Sequence, residues 1–263
     1  MVVRCIDCGW IGPRMFGQPE RAGRGGAHVR GRGGAGDALA VTAGVGEAEA
    51  QARRPLRTVA VIPAFNEEKT LGDVIAVVRD VPAVDRIFVI SDGSTDRTAA
   101  IARERGATCI ELVENVGKGG ALKAGIDQAD ADVYLFLDAD LIGLTATHVR
   151  ALLQPVLQGH AQMSLGILEK GRVATDLAHA VAPYLSGQRA VTRQVLQGLS
   201  GMETSRYGIE VAINRHLKKH RVEVCTVSME NLTHRTKEEK LGLLRGFVAR
   251  LKMYWEIVKY AGE

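Results

Sequence analysis

No stretch of this 263-residue chain approaches the roughly 20 continuous apolar residues of a membrane-spanning helix, and its N-terminus lacks the apolar core of a secretory signal. Those absences predict a soluble, cytoplasmic protein. Cysteine is scarce: Cys5, Cys8, Cys109 and Cys225 are the only four, and Cys109 and Cys225 sit in apolar, strand-like contexts. That usage suits a reducing compartment better than a disulfide framework. A strong charge of one sign is also missing. The net charge of +4 is ordinary for a soluble protein and does not by itself point to nucleic acid.

The first 57 residues lack hydrophobic periodicity. The tract RAGRGGAHVRGRGGAG (21–36) is rich in Gly and Arg, and such chain buries too little apolar surface to offset its ordering entropy. Residues 1–57 are therefore expected to be a disordered extension. Cys5 and Cys8 have the spacing of half a zinc site, but no second pair follows. The Arg/Gly tract has no interleaved aromatics of the kind that stack on RNA bases. A true start further downstream is a third reading.

From Thr58 the pattern changes. TVAVIP (58–63), RIFVIS (86–91), ATCIELV (107–113) and DVYLFLD (132–138) read as strands apolar on both faces. Helical patterns lie between them, over 67–79, over 94–105 and after Gly117. Four alternations of strand and helix predict an α/β fold with a mostly parallel sheet covered on both sides. Ligands of such sheets bind beyond the carboxyl ends of the strands. At those ends stand PAFNEE (63–68), SDGSTD (91–96), NVGKGG (115–120) and DAD (138–140), so polar, glycine-rich and acidic groups share one edge.

Asp138 and Asp140 are two apart, which on an extended strand points both carboxylates the same way. Two close carboxylates oppose each other's ionisation unless a cation sits with them. Oxygen ligands at a sheet mouth suit Mg²⁺ or Mn²⁺, with a solvated strand end as the plain alternative. Gly117-Lys118-Gly119-Gly120 at a helix start offers amides and an ammonium to an anion. It is not a Walker loop, and no G-x-G-x-x-G follows the first strand. Ser94-Thr95-Asp96 is read as a helix cap, which leaves Asp92 free to reach a ligand.

VIPAFNEE, ISDGSTDRT, NVGKGGALKAG and FLDADL, in this order and spacing, resemble the GT-A fold nucleotide-sugar glycosyltransferases of family 2. The resemblance implies a UDP-sugar donor. Pro63, Ala64, Phe65, Asn66 and Glu67 would line the nucleotide, and Asp92 would read uracil or ribose. Gly117 and Lys118 would lie near it, Asp138 with Ala139 would border the ribose, and Asp140 would hold a divalent metal. Further on, GRVATDL (171–177), LSG (185–187), YGIE (207–210) and His234 resemble segments of glucosyl-3-phosphoglycerate synthases. That similarity implies His234 as a further metal ligand. It implies Arg172, Thr175, Ser186, Gly187, Tyr207 and Gly208 around an anionic acceptor, and Glu210 as a catalytic or orienting acid beside Asp140 and Lys118. Ala174 lengthens the Arg172–Thr175 spacing by one, and Gln188-Arg189 stands where that family has Glu-Tyr. The S-G-x-R form also occurs in family-2 enzymes that glycosylate polyprenyl phosphates.

The expected organisation is a donor half over 58–142, an acceptor half over 143–235 and a C-terminal helix over 236–263. In that tail Leu241, Leu244, Val248, Leu251, Trp255 and Val258 fall at helical spacing among Arg and Lys. Packing on its own domain or on a homodimer partner is the preferred reading. Peripheral contact with the inner face of a membrane is the other. The function expected is metal-dependent transfer of a sugar, glucose first, from a UDP-sugar to a small anionic acceptor such as a phosphoglycerate. An inverting reaction would need a base, and Glu210 and Asp176 are the candidates. Nucleotidyl transfer is disfavoured, because PAFNEE fills the place of its Gly-rich, basic loop. A non-catalytic binding protein is disfavoured by the intact Asp138, Asp140 and Lys118. No nucleic-acid partner is expected.

Overall fold

The computed structural model describes residues 55–168, 186–198, 212–213, 216–217, 219–220 and 222–234. Strands β1 (Thr58–Ala64), β2 (Arg86–Asp92), β3 (Thr108–Leu112) and β4 (Val133–Phe136) alternate with helices α1 (Leu71–Arg79), α2 (Thr98–Glu104) and α3 (Lys118–Gln128). Then come β5 (Leu141–Ile142), α4 (Ala146–Leu157), β6 (Met163–Leu168), β7 (Arg189–Thr192), α5 (Arg193–Gln197), β8 (Val224–Met229) and β9 (Thr233–His234). The main sheet has seven strands in the order β3-β2-β1-β4-β7-β6-β8. All run one way except β7, which is antiparallel to both β4 and β6.

Alternation along the central strands builds two cores. In β1, Ala60 and Ile62 face a layer with Leu71, Val74, Ile75 and Val78 of α1 and Val149, Leu152 and Leu153 of α4. Val59 and Val61 face the other way, onto Ala121 and Leu122 of α3 with Phe88, Ile90 and Phe136. Each fully buried Ile, Leu or Phe contributes on the order of 1.5–3 kcal/mol, so both faces of the sheet are anchored. Helix α3 comes very close to the strands at Gly125, where an added Cβ would collide with Val61 and press on Ile90. A glycine there lets the helix approach, and it sets where Lys118 stands seven residues earlier.

The strand directions decide what gathers at one edge. β1 to β4 are parallel, so their C-terminal ends lie on the same side. β7 runs back from that side with Arg189 opposite Phe136, so residues 186–188 enter beside the chain leaving β4. β8 runs parallel to β6 and ends at Met229 opposite Leu168. A turn then leads into β9, which pairs with β5 as a separate two-stranded ribbon, Leu141 opposite His234 and Ile142 opposite Thr233.

The expected strands and the parallel arrangement are present. Helices α1 and α2 each start four residues later than the periodicity suggests. Residues 67–74 begin with a turn, in which Thr70 and Leu71 N–H both donate to Glu67 C=O. Among the described residues no helix is long and apolar enough to cross a membrane. The expectations for residues 1–54, including the Cys5/Cys8 spacing, and for the C-terminal helix lie outside the described residues.

Candidate nucleotide and metal site

The first two edge loops are stitched together through their backbones. Asn66 N–H donates to Ser94 Oγ (3.2 Å), Glu67 N–H to Thr98 Oγ1 (2.8 Å) and Glu68 N–H to Asp96 Oδ2 (3.1 Å). In return, Thr95 N–H donates to Asn66 Oδ1 (2.9 Å) and Arg97 N–H to Glu68 Oε2 (3.2 Å). Asn66 takes a left-handed backbone (φ 55°), which Asn tolerates better than most residues. Ser94 therefore serves the neighbouring loop and not the helix. Asp96 is the residue that accepts from an α2 amide, Thr98 N–H, at 2.9 Å. Of the residues expected to line a nucleotide, Phe65 and Asn66 are exposed, Pro63 half-buried, and Ala64 and Glu67 buried.

Asp92 differs from expectation. It is 3% exposed, and its two oxygens accept from Val116 N–H (2.8 Å) and Gly117 N–H (3.0 Å). Its carbonyl accepts from Asn115 Nδ2 at 3.1 Å. The carboxylate that sequence left free for a ligand is the fastener of the β3–α3 turn, delivering Gly117 and Lys118 to the edge. A carboxylate gives each amide its own oxygen, whereas Asn would turn an NH₂ towards one of them.

The acidic pair also differs in one respect. β4 ends at Phe136 and the chain turns at Ala139–Asp140, so Asp138 and Asp140 do not share a face of an extended strand. They converge because the turn folds back. Thr70 Oγ1 holds that turn from below by donating to Ala139 C=O at 2.8 Å. His234, delivered by β9, places Nδ1 3.0 Å from Asp140 Oδ1 and 3.9 Å from Asp138 Oδ2. One ligand atom from each of Asp138, Asp140 and His234 lies within 4.8 Å of the others, a separation a divalent cation can span. All three are half-buried.

Lys118 Nζ stands 2.6 Å from Asp138 Oδ1, with both side chains mostly covered. Gln188 donates from Nε2 to the other oxygen, Asp138 Oδ2, at 2.8 Å. Gly187 passes directly beneath: a Cβ there would sit 2.5 and 2.6 Å from the two Asp138 oxygens and against Lys118 Nζ. Ser186 Oγ donates to Gln188 Oε1 at 2.9 Å. Arg189, next along, is 1% exposed and donates from Nε and Nη2 to the Ser186 carbonyl, closing the turn on itself.

The structure thus brings together Gly117, Lys118, Asp138, Ala139, Asp140, Ser186, Gly187 and His234. Arg172, Thr175, Asp176, Tyr207, Gly208 and Glu210 lie outside the described residues. Sequence reasoning gave no part to Gln188 or Thr70. Gln188 was signalled only by its place after Ser186-Gly187, and Thr70 had no signal at all.

A sequence profile described as Glycosyl transferase family 2 matches residues 59–215. A 4,4'-diaponeurosporenoate glycosyltransferase of Staphylococcus aureus (strain MRSA252) is 34% identical over 138 residues, covering 50% of this chain and 34% of that enzyme. The chain's match thus spans about a third of the length of this curated relative. Among solved structures, a mycobacterial protein superposes with a TM-score of 0.60 at 25% identity, over 68% of this chain and 67% of that one. Glucosyl-3-phosphoglycerate synthase from Mycobacterium tuberculosis, in complex with Mn²⁺, UDP and glucosyl-3-phosphoglycerate, superposes with a TM-score of 0.58 at 27% identity. That match covers 68% of this chain and 72% of the synthase.

Proposed function

The chain belongs to glycosyl transferase family 2, and from that premise we propose that it transfers a sugar, glucose first among candidates, from a UDP-sugar to a small anionic acceptor such as a phosphoglycerate. The observation that carries the reading is the convergence of Asp138, Asp140 and His234 beside Lys118 at the C-terminal edge of the sheet. It is supported by the synthase structure that contains Mn²⁺, UDP and a glucosylated product. In this reading residues 58–142 form the donor half and 143–235 the acceptor half.

The donor set fits a divalent cation of the Mn²⁺ or Mg²⁺ kind, with two carboxylates and one imidazole. Asp140 and His234 would hold it, with Asp138 beside them. A cation held there supplies Lewis-acid stabilisation of the negative charge on a departing diphosphate. The chain's own residues do the rest. Lys118, fixed at the N-terminus of α3, offers positive charge to the same diphosphate. Phe65, 48% exposed on the loop after β1, offers an aromatic face to the base. Asp138, held by Lys118 and Gln188, is oriented to accept from a hydroxyl of the donor. Arg172 and Thr175 would take the acceptor's anionic group, with Tyr207, Gly208 and the Ser186-Gly187 turn around it and Glu210 orienting its hydroxyl.

Arg189 bears on the alternative polyprenyl-phosphate acceptor. Two donors of its buried guanidinium, Nε and Nη2, go to the Ser186 carbonyl, which supports a part in holding the Ser186-Gly187 turn. The test is UDP release from UDP-glucose with Mn²⁺, with and without 3-phosphoglycerate. Acceptor-dependent release is expected. Release that ignores 3-phosphoglycerate but responds to a polyprenyl phosphate would replace the acceptor class while keeping the donor.

A further inference from the structure

We propose that Gln188 is a positioning residue of the nucleotide site, acting through Asp138; this rests on reading the edge as a UDP-sugar site. Gln188 is fully buried, and a buried carboxamide must spend its hydrogen bonds inside the protein. It does so at every end. Oε1 accepts from Ser186 Oγ (2.9 Å), the backbone N–H donates to the same Oγ (3.3 Å), and the carbonyl accepts from Gly166 N–H of β6 (2.8 Å). Nε2 is thereby left pointing in one direction, and that direction ends on Asp138 Oδ2.

Asp138 is therefore pinned at two points, Oδ1 by Lys118 and Oδ2 by Gln188. Rotating the carboxylate breaks both contacts together. Its Oδ2 lies 3.9 Å from His234 Nδ1, while Asp140 holds that nitrogen at 3.0 Å. Without Gln188, Asp138 can swing towards His234, crowd Asp140 with a like charge and release Lys118. The Gln188 amide keeps the two carboxylates in separate places, one on the lysine and one on the imidazole.

The experiment is a double-mutant cycle on full-length protein, reading UDP affinity by calorimetry with Mn²⁺ for wild type, Gln188→Met, Asp138→Ala and the double variant. Thermal unfolding of each provides the folding check. Gln188→Met should weaken UDP binding about tenfold, the loss of one hydrogen bond to a charged group, and should have no further effect once Asp138 is gone. A residue with a merely structural part would cause the same loss in both backgrounds, and that additivity would overturn the proposal. So would wild-type affinity in Gln188→Met. If the Met variant does not fold, Gln188→Asn keeps the amide but withdraws it by one methylene and should weaken UDP about tenfold; unchanged affinity there also overturns it. A wild type that binds no UDP would overturn the donor reading first, and this inference with it.

Discussion

His234 Nδ1 lies 3.0 Å from Asp140 Oδ1, although 94 positions separate them in the chain. The β5–β9 ribbon makes the contact, pairing Leu141 with His234 directly after the acidic turn. Two strands of two residues each, outside the main sheet, thus complete the candidate cation site.

Gly187→Ala tests how closely that neighbourhood is packed. The new methyl would overlap both Asp138 oxygens and Lys118 Nζ, so the ion pair has to move. Nucleotide affinity should fall about tenfold or more, because the pair is displaced from its pre-set geometry. Thermal stability should change little, since the atoms struck are the ends of two side chains, Asp138 and Lys118, that can shift. Calorimetry and a melting curve on the same sample check both halves.

Asp92→Ala tests the β3–α3 turn. Removing the carboxylate leaves the Val116 and Gly117 amides without their acceptors, with only 3% of Asp92 exposed to let water compensate. A loss on the order of 2–4 kcal/mol in unfolding free energy is expected, from two charge-assisted bonds. Urea denaturation measures it. Asp92→Asn should fall between wild type and Ala, because an amide can accept one of the two N–H groups but is a poor partner for both.

His148 predicts acid sensitivity of the fold. It is buried in the first turn of α4, where its Nδ1 accepts from Thr145 N–H at 3.3 Å while its own N–H donates to Thr145 Oγ1. Burial lowers its pKa below the usual histidine value, against smaller opposing influences of Glu230, from its backbone and from its charge. The unfolded chain therefore takes up this proton before the folded one does. The contribution is complete above the ordinary value of about 6.5 and is lost as pH falls below it towards the depressed folded value. Unfolding free energies at pH 7.5 and pH 5 should differ more in wild type than in His148→Gln.

Much of this was legible in the sequence because parallel strands announce themselves. TVAVIP and RIFVIS are apolar on both faces, and both became central strands with the expected polar loops beyond them. Lys118, Asp138 and Asp140 could be placed at one edge from that logic alone. Two kinds of information were not local. The ribbon strands β5 and β9 are too short to leave a periodic pattern, so the route that brings His234 to Asp140 was invisible; only resemblance pointed to that residue. The partners of Asp92 were also hidden, because a carboxylate bonding backbone amides leaves no mark on the identity of the residues that supply them. The same holds for Gln188, whose part follows from β7 running antiparallel beside β4, a reversal that no short motif encodes.

The most direct measurement is calorimetric titration of UDP into wild type and Asp140→Ala, each with and without Mn²⁺. UDP binding should be strengthened by Mn²⁺ in wild type, and that strengthening, about a hundredfold in affinity, should be lost in Asp140→Ala. Equal, Mn²⁺-independent affinity in the two proteins would contradict it.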